Sequence, residues 1–150
     1  MGLVEITGGE PLAQKGFGAL CRALCDAGLE VLIETSGAYP LDDVDPRAIV
    51  IADLKCPGSG EAARNLWTTL AGLRRVDELK IVVTDRADLD WALARLADEL
   101  QGVAATILWS PVHGEVAPAD LAAWLLETRA PGRMQVQLHK VIWPDAERGV

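Results

Sequence analysis

Apolar residues along the chain alternate between short runs and longer stretches where they recur every third or fourth position, the signatures of buried strands and amphipathic helices. The first run, Leu3-Val4-Glu5-Ile6, reads as a strand ending in Thr7-Gly8-Gly9-Glu10-Pro11. A helix is predicted from Leu12 to Ala27, with Phe17, Leu20, Leu24 and Ala27 on its apolar face and Gly28 as its C-terminal stop. A strand Glu30 to Glu34 runs into Thr35-Ser36-Gly37, and Asp42 to Arg47 is a polar turn. The strand Ala48 to Ala52 ends in Asp53-Leu54-Lys55-Cys56-Pro57-Gly58-Ser59-Gly60. A helix Glu61 to Leu73, a strand Glu78 to Val83 and a helix Arg86 to Leu100 follow, the last capped by Asp85. The strand Ala105 to Trp109 and its loop Ser110-Pro111-Val112-His113-Gly114 lead to a helix Pro118 to Thr128. A strand Met134 to Leu138, then His139-Lys140 and a tail from Trp143 to Val150, complete the chain.

Strand and helix therefore alternate, and the strands are rich in Val, Ile and Leu rather than strictly alternating. This is the pattern of parallel strands covered by helices. The fold class is α/β with a parallel sheet, either open or a curved part of a barrel.

At 150 residues the chain has the length of one domain with a substantial core. A formal charge of −8 argues against a nucleic-acid surface, which needs clustered Lys and Arg. No apolar stretch is long enough to span a membrane, and no basic segment precedes an apolar one as in a secretory signal. Three cysteines without an export signal argue against a disulfide framework and point to the cytoplasm. Met1-Gly2 leads at once into a core strand, so the chain reads as N-terminally shortened or abruptly begun.

Polar residues gather where the strands end, and parallel α/β architectures bind ligands at the carboxyl ends of strands. Turn chemistry also favours Gly, Ser, Asp and Thr, which accounts for any one case but less readily for six in succession. Thr35 and Ser36 offer hydroxyls to a ribose or carboxylate, or to a cap. Asp53 and Lys55, two apart, fit a simple ion pair. His113 and His139 are single histidines, more often structural than catalytic. Cys21 and Cys25, four apart on a helix, read as small core residues; Cys56, in a strand-end loop, is the one candidate reactive thiol. No metal-binding spacing such as C-x2-C or paired His is present.

Thr7-Gly8-Gly9-Glu10-Pro11-Leu12 with Gln14 resembles the Gly-Gly-Glu segment of radical S-adenosylmethionine enzymes. With Glu34-Thr35-Ser36-Gly37, Asp53-Leu54-Lys55-Cys56-Pro57-Gly58-Ser59, Asp77-Glu78-Leu79-Lys80, Ser110-Pro111-Val112-His113-Gly114 and Gln135-Val136-Gln137-Leu138-His139-Lys140 plus Trp143, the chain is similar to the 7-carboxy-7-deazaguanine synthase family from Leu3 to Val150. The resemblance implies a partial (βα) barrel of parallel strands, here missing its first strand, usually in a homodimer. It implies ring contraction of 6-carboxy-5,6,7,8-tetrahydropterin to 7-carboxy-7-deazaguanine and ammonia, in queuosine and deazapurine biosynthesis. The implied cofactors are S-adenosylmethionine, a 4Fe-4S cluster that cleaves it reductively to a 5′-deoxyadenosyl radical, and magnesium. An electron donor such as flavodoxin would supply the cluster. Carried over, Gly8, Gly9 and Glu10 hold the amino group of S-adenosylmethionine, and Asp53, Leu54, Lys55, Ser110, Pro111, Val112 and His113 line its site. Thr7, His139 and the tail ending at Val150 face the substrate.

The family's cluster cysteines, spaced C-x3-C-x2-C, lie upstream of the Gly-Gly-Glu segment, as does its magnesium-binding threonine. Here Cys21 and Cys25 have part of that spacing, but Gly28 occupies the third position, so no residue is assigned as a metal ligand. The first reading is thus a lyase lacking its cluster-binding segment. The second is an inert α/β module that binds a nucleoside, a pterin or a partner subunit. An acyl- or phosphoryl-transfer enzyme lacks support, since neither a nucleophile elbow nor a phosphate-binding Gly-rich Lys motif is present.

Overall fold

The computed structural model describes residues 2–143. Six strands form one sheet in the order β1-β2-β3-β4-β5-β6, every neighbouring pair parallel. They are β1 (Leu3–Ile6), β2 (Glu30–Thr35), β3 (Ile49–Leu54), β4 (Glu78–Val83), β5 (Thr106–Pro111) and β6 (Arg133–Met134). The helices are α1 (Phe17–Asp26), α2 (Trp67–Ala71), α3 (Arg86–Ala97), α4 (Pro118–Thr128) and α5 (Leu138–Ile142). Parallel crossovers are right-handed, so a strand order that never reverses keeps successive crossovers on one side of the sheet. Among the described residues the sheet does not close, and the architecture is a partial (βα) barrel.

Burial along the strands shows the two faces. In β2, β3 and β4, fully buried residues alternate with half-buried ones. The buried set of β3 and β4 (Val50, Ala52, Leu54, Leu79, Ile81, Val83) packs with Leu70, Leu89, Ala92 and Leu121 from the helices. A second cluster joins Phe17, Cys21 and Cys25 of α1 to Val31 and Ile33 of β2. The other face carries Glu34, Ile51, Asp53 and Lys80. The expected absence of alternation is therefore corrected: helices cover one face, and the other holds charge.

Several expected elements change length or type. The helix from Leu12 is split into a 3-10 turn, Pro11–Ala13, and α1, because Gly16 breaks the path at φ 85°. Its buried stripe is Phe17, Cys21 and Cys25, while Leu20 is exposed. The helix Glu61 to Leu73 becomes a 3-10 turn, Ala62–Arg64, and the short α2, with Asn65 and Leu66 extended between them. β3 continues through Asp53 and Leu54, and β5 through Ser110 and Pro111, so these lie in strands rather than loops. The last expected strand shrinks to Arg133–Met134, and His139 and Lys140 lie on α5. Strand Glu78–Val83 and helix Pro118–Thr128 form as expected.

Candidate cofactor and substrate site

At the carboxyl end of β1 the chain turns through Gly8 (φ 90°) and Gly9 (φ 56°), a left-handed pair that glycine adopts without strain. Apart from the chain neighbours, no atom of the described residues lies within 4 Å of where a Cβ would sit on either residue, so the bare backbone faces open space. The turn brings Glu10 across to the end of β2. One carboxylate oxygen of Glu10 accepts the Leu12 N–H (3.1 Å) and the Thr35 hydroxyl (2.8 Å). The other accepts the Ser36 N–H (2.8 Å) and the Ser36 hydroxyl. Burial opposes ionisation of this carboxyl, but the donors of Ser36, Thr35 and Leu12 outweigh it and hold its pKa below the usual range. Thr35 and Ser36 thus serve the Glu10 carboxylate.

A second polar group lies on the uncovered face. Asp53 and Lys80 are cross-strand partners on β3 and β4. Lys80 Nζ is 3.1 Å from Glu34 Oε1 and 3.3 Å from Asp53 Oδ1, and Lys55 Nζ is 2.6 Å from Asp53 Oδ2. Thr7 donates its hydroxyl to Glu34 Oε2 (3.3 Å), joining β1 to the group. Two ammonium and two carboxylate groups, from β2, β3, β4 and the residue after β3, therefore neutralise one another. Burial would lower the Lys80 pKa, but Asp53 and Glu34 raise it, so the ammonium is stabilised. Asp53 Oδ1 is buried, and among the described residues its partner is the Lys80 ammonium at 3.3 Å.

The remaining expected residues separate. The Leu54 side chain is buried in the helix-side core, so only its backbone can serve a ligand. Ser110 and Pro111 are buried, and His113 is exposed beyond them. Among the described residues no hydrogen bond or ion pair joins this segment to Glu10 or Asp53. Pro111 and His113 instead line a cavity of about 550 Å³ with Val116, Val136, Gln137 and Val141. His139 is half-buried on α5 and does not line that cavity. Val150 lies outside the described residues.

The residues that pattern reading missed are Asn65 and Asp88. Asn65 pairs with the Lys55 backbone, and buried Asp88 accepts the N–H groups of Gly58 (2.9 Å) and Thr84 (3.1 Å). Both are polar residues in apolar surroundings, which is the one signal that could have marked them.

The cysteines do not form a metal site. Cys21, Cys25 and Cys56 are all buried as thiols. Burial, then the charges of Asp88 and Asp85, push the Cys56 thiol up to about 12, which corrects its reading as a reactive group. Among the described residues no three His, Cys, Asp or Glu side chains are arranged to hold a metal ion.

Structural comparison places this architecture. QueE from Escherichia coli superposes with a TM-score of 0.63 at 23% identity, over 90% of this chain and 56% of that one. SuiB from Streptococcus suis, bound to S-adenosylmethionine, gives 0.61 at 13% identity, over 98% of this chain and 42% of that one. The fold shared with these two proteins is the α/β one, a partial (βα) barrel of parallel strands.

No protein-family profile matches the chain. Among curated proteins, 7-carboxy-7-deazaguanine synthase of Chlorobaculum tepidum is 46% identical, over 98% of this chain and 68% of that protein. The enzyme of the same name from Koribacter versatilis is 39% identical over 99% of this chain and 72% of its own. That of Methanospirillum hungatei is 41% identical over 93% and 58%. The chain belongs to the 7-carboxy-7-deazaguanine synthase family, and it spans about two thirds of the length of the first two of these relatives.

Proposed function

We propose that this chain forms the part of a 7-carboxy-7-deazaguanine synthase that holds S-adenosylmethionine and 6-carboxy-5,6,7,8-tetrahydropterin. The reaction converts the pterin to 7-carboxy-7-deazaguanine with loss of ammonia, so it is a carbon–nitrogen lyase reaction. The observation that carries the reading is the strand-end assembly: bare Gly8-Gly9 backbone to contact the ligand, beside the ionised Glu10 carboxylate, whose oxygens are held by four donors and which supplies negative charge. Backbone carbonyls and a carboxylate suit an ammonium group such as the amino end of S-adenosylmethionine. Bound there, S-adenosylmethionine is the source of the family's radical chemistry.

The chain's own residues bind and orient. Glu10, tied to β2, sets the charge at the amino end; Asp53 and Lys55 face the same end of the sheet; Ser110, Pro111, Val112 and His113, at the end of β5, are carried over from the family resemblance as contacts to the cofactor. Thr7 and Glu34 present a hydroxyl and a carboxylate on the uncovered face, where the pterin lies. His139 and Val150 are carried over from the family resemblance as contacts to the substrate.

The 4Fe-4S cluster does not fit the described residues, since the three cysteines are buried and no three His, Cys, Asp or Glu side chains among those residues are arranged to hold a metal ion. Magnesium takes oxygen ligands, and the family resemblance puts its threonine upstream of the Gly-Gly-Glu segment, so none of the described residues is assigned to it. The working enzyme is a homodimer in the cytoplasm, receiving electrons from a donor such as flavodoxin. No described helix is long and apolar enough to cross a membrane.

The test is S-adenosylmethionine binding by isothermal titration, with iron counted after anaerobic reconstitution of the 150-residue chain. Saturable one-to-one binding with far fewer than the about four irons of such a cluster supports the proposal. No binding refutes the cofactor site, and a full cluster refutes the exclusion of these cysteines.

A further inference from the structure

The residues at the end of β3 are held by a side chain from outside the site. Asn65 follows the 3-10 turn Ala62–Arg64; its backbone is extended (φ −56°, ψ 122°) and it is 8% exposed. Its side-chain carbonyl accepts the Lys55 N–H at 3.0 Å, and its amide donates to the Lys55 carbonyl at 2.9 Å. The β3–β4 pairing ends at Leu54↔Ile81, so Lys55 is the first residue beyond it. A side-chain amide has the same donor and acceptor as a peptide unit, so Asn65 supplies the pairing a further strand residue would have given.

The next residue ties in the neighbouring strand end. Leu66 donates its N–H to the Gly37 carbonyl at 3.0 Å. Gly37, at φ 75°, follows Ser36 and packs so closely on the Asp53 carbonyl that a Cβ would collide with it. Two successive residues thus hold both strand ends, one bearing the Thr35-Ser36 pair around Glu10 and the other Asp53 and Lys55. Beside them Asp53 is paired with Lys55 through one carboxylate oxygen and with Lys80 through the other. Leaving the Lys55 backbone unpaired would let Lys55 and its ion pair with Asp53 shift.

We infer that Asn65 is a positioning residue for the cofactor site: by pairing with the Lys55 backbone it fixes where Asp53 and Lys55 meet the ligand. The inference rests on the cofactor reading above.

The experiment compares the unaltered chain with Asn65→Ala and Asn65→Asp. Residue-resolved amide hydrogen exchange reports the clamp, titration with S-adenosylmethionine reports the site, and urea unfolding reports overall stability. Asn65→Ala is expected to speed Lys55 amide exchange at least about tenfold, the equivalent of one lost hydrogen bond, with β1 and β4 amides much less affected. Affinity for S-adenosylmethionine is expected to fall by about tenfold or more. Asn65→Asp, which keeps the acceptor, is expected to restore Lys55 protection in part. Unchanged Lys55 exchange, an equal acceleration in every strand, or unchanged affinity would each overturn the inference. If the unaltered chain binds no S-adenosylmethionine, the cofactor reading falls and the functional role with it. Lys55 exchange then shows whether Asn65 is a structural clamp alone.

Discussion

Glu10→Gln is the substitution that most directly probes the strand-end site. Each carboxylate oxygen of Glu10 accepts one backbone N–H, from Leu12 or from Ser36, and one hydroxyl. The hydroxyls can turn to accept, but the two N–H groups cannot. Whichever way a glutamine amide points, its NH2 faces a backbone donor. One charge-assisted bond is lost and the other is weakened to a neutral one, at roughly 1.5–3 kcal/mol for a bond to a charged group. Glu10 is only partly buried, and water relieves some of this, so about 1–2 kcal/mol is expected. For a chain of this size that lowers the midpoint of thermal unfolding by about 2–8 °C. Differential scanning calorimetry at neutral pH measures it, and a midpoint within about 1 °C of the unaltered chain would refute the argument. The sign of the pH dependence follows. The native pKa lies below the ordinary value of 4.5, so the unfolded chain binds more protons in acid. The stabilisation is complete above that value and is lost as pH falls through the lowered native pKa. Glu10→Gln should narrow its deficit at acid pH, and a deficit that grows below pH 4 would contradict the assignment.

Two further outcomes are expected. All three thiols should resist a disulfide-exchange reagent at pH 8 in the folded chain and react together in denaturant; rapid reaction of Cys56 in the native state would contradict its burial and raised pKa. Asp88→Ala should lower the urea unfolding free energy by about 2–4 kcal/mol, because the N–H groups of Gly58 and Thr84 lose their acceptor; a loss under about 1 kcal/mol would show that water replaces it.

The Gly-Gly-Glu turn was legible because it is local: two glycines, a carboxylate and a proline within five positions dictate a sharp left-handed turn into a helical start. Helix Pro118–Thr128 and strand Glu78–Val83 were legible for the same reason, each bounded by its own start and stop signals. Where a side chain served a distant partner, local reading failed. The helix expected over Glu61 to Leu73 is interrupted where Asn65 leaves helical conformation to pair with Lys55, ten residues away in sequence. The terminal strand stops early: Gln135 still donates its N–H to Trp109, but the chain then leaves β5 and turns into α5.

Residue order alone sufficed for the parallel α/β class, the family resemblance and the gathering of polar residues at strand ends, since these follow from hydrophobic period and short-range backbone preference. Chain packing alone could show that Thr35 and Ser36 serve Glu10 and that Lys80 lies between Glu34 and Asp53. It also showed that Leu54 and Cys56 turn into the core. Each of these depends on strand register, which makes neighbours of Glu34 and Lys80, 46 positions apart, and sends alternate side chains to opposite faces of the sheet.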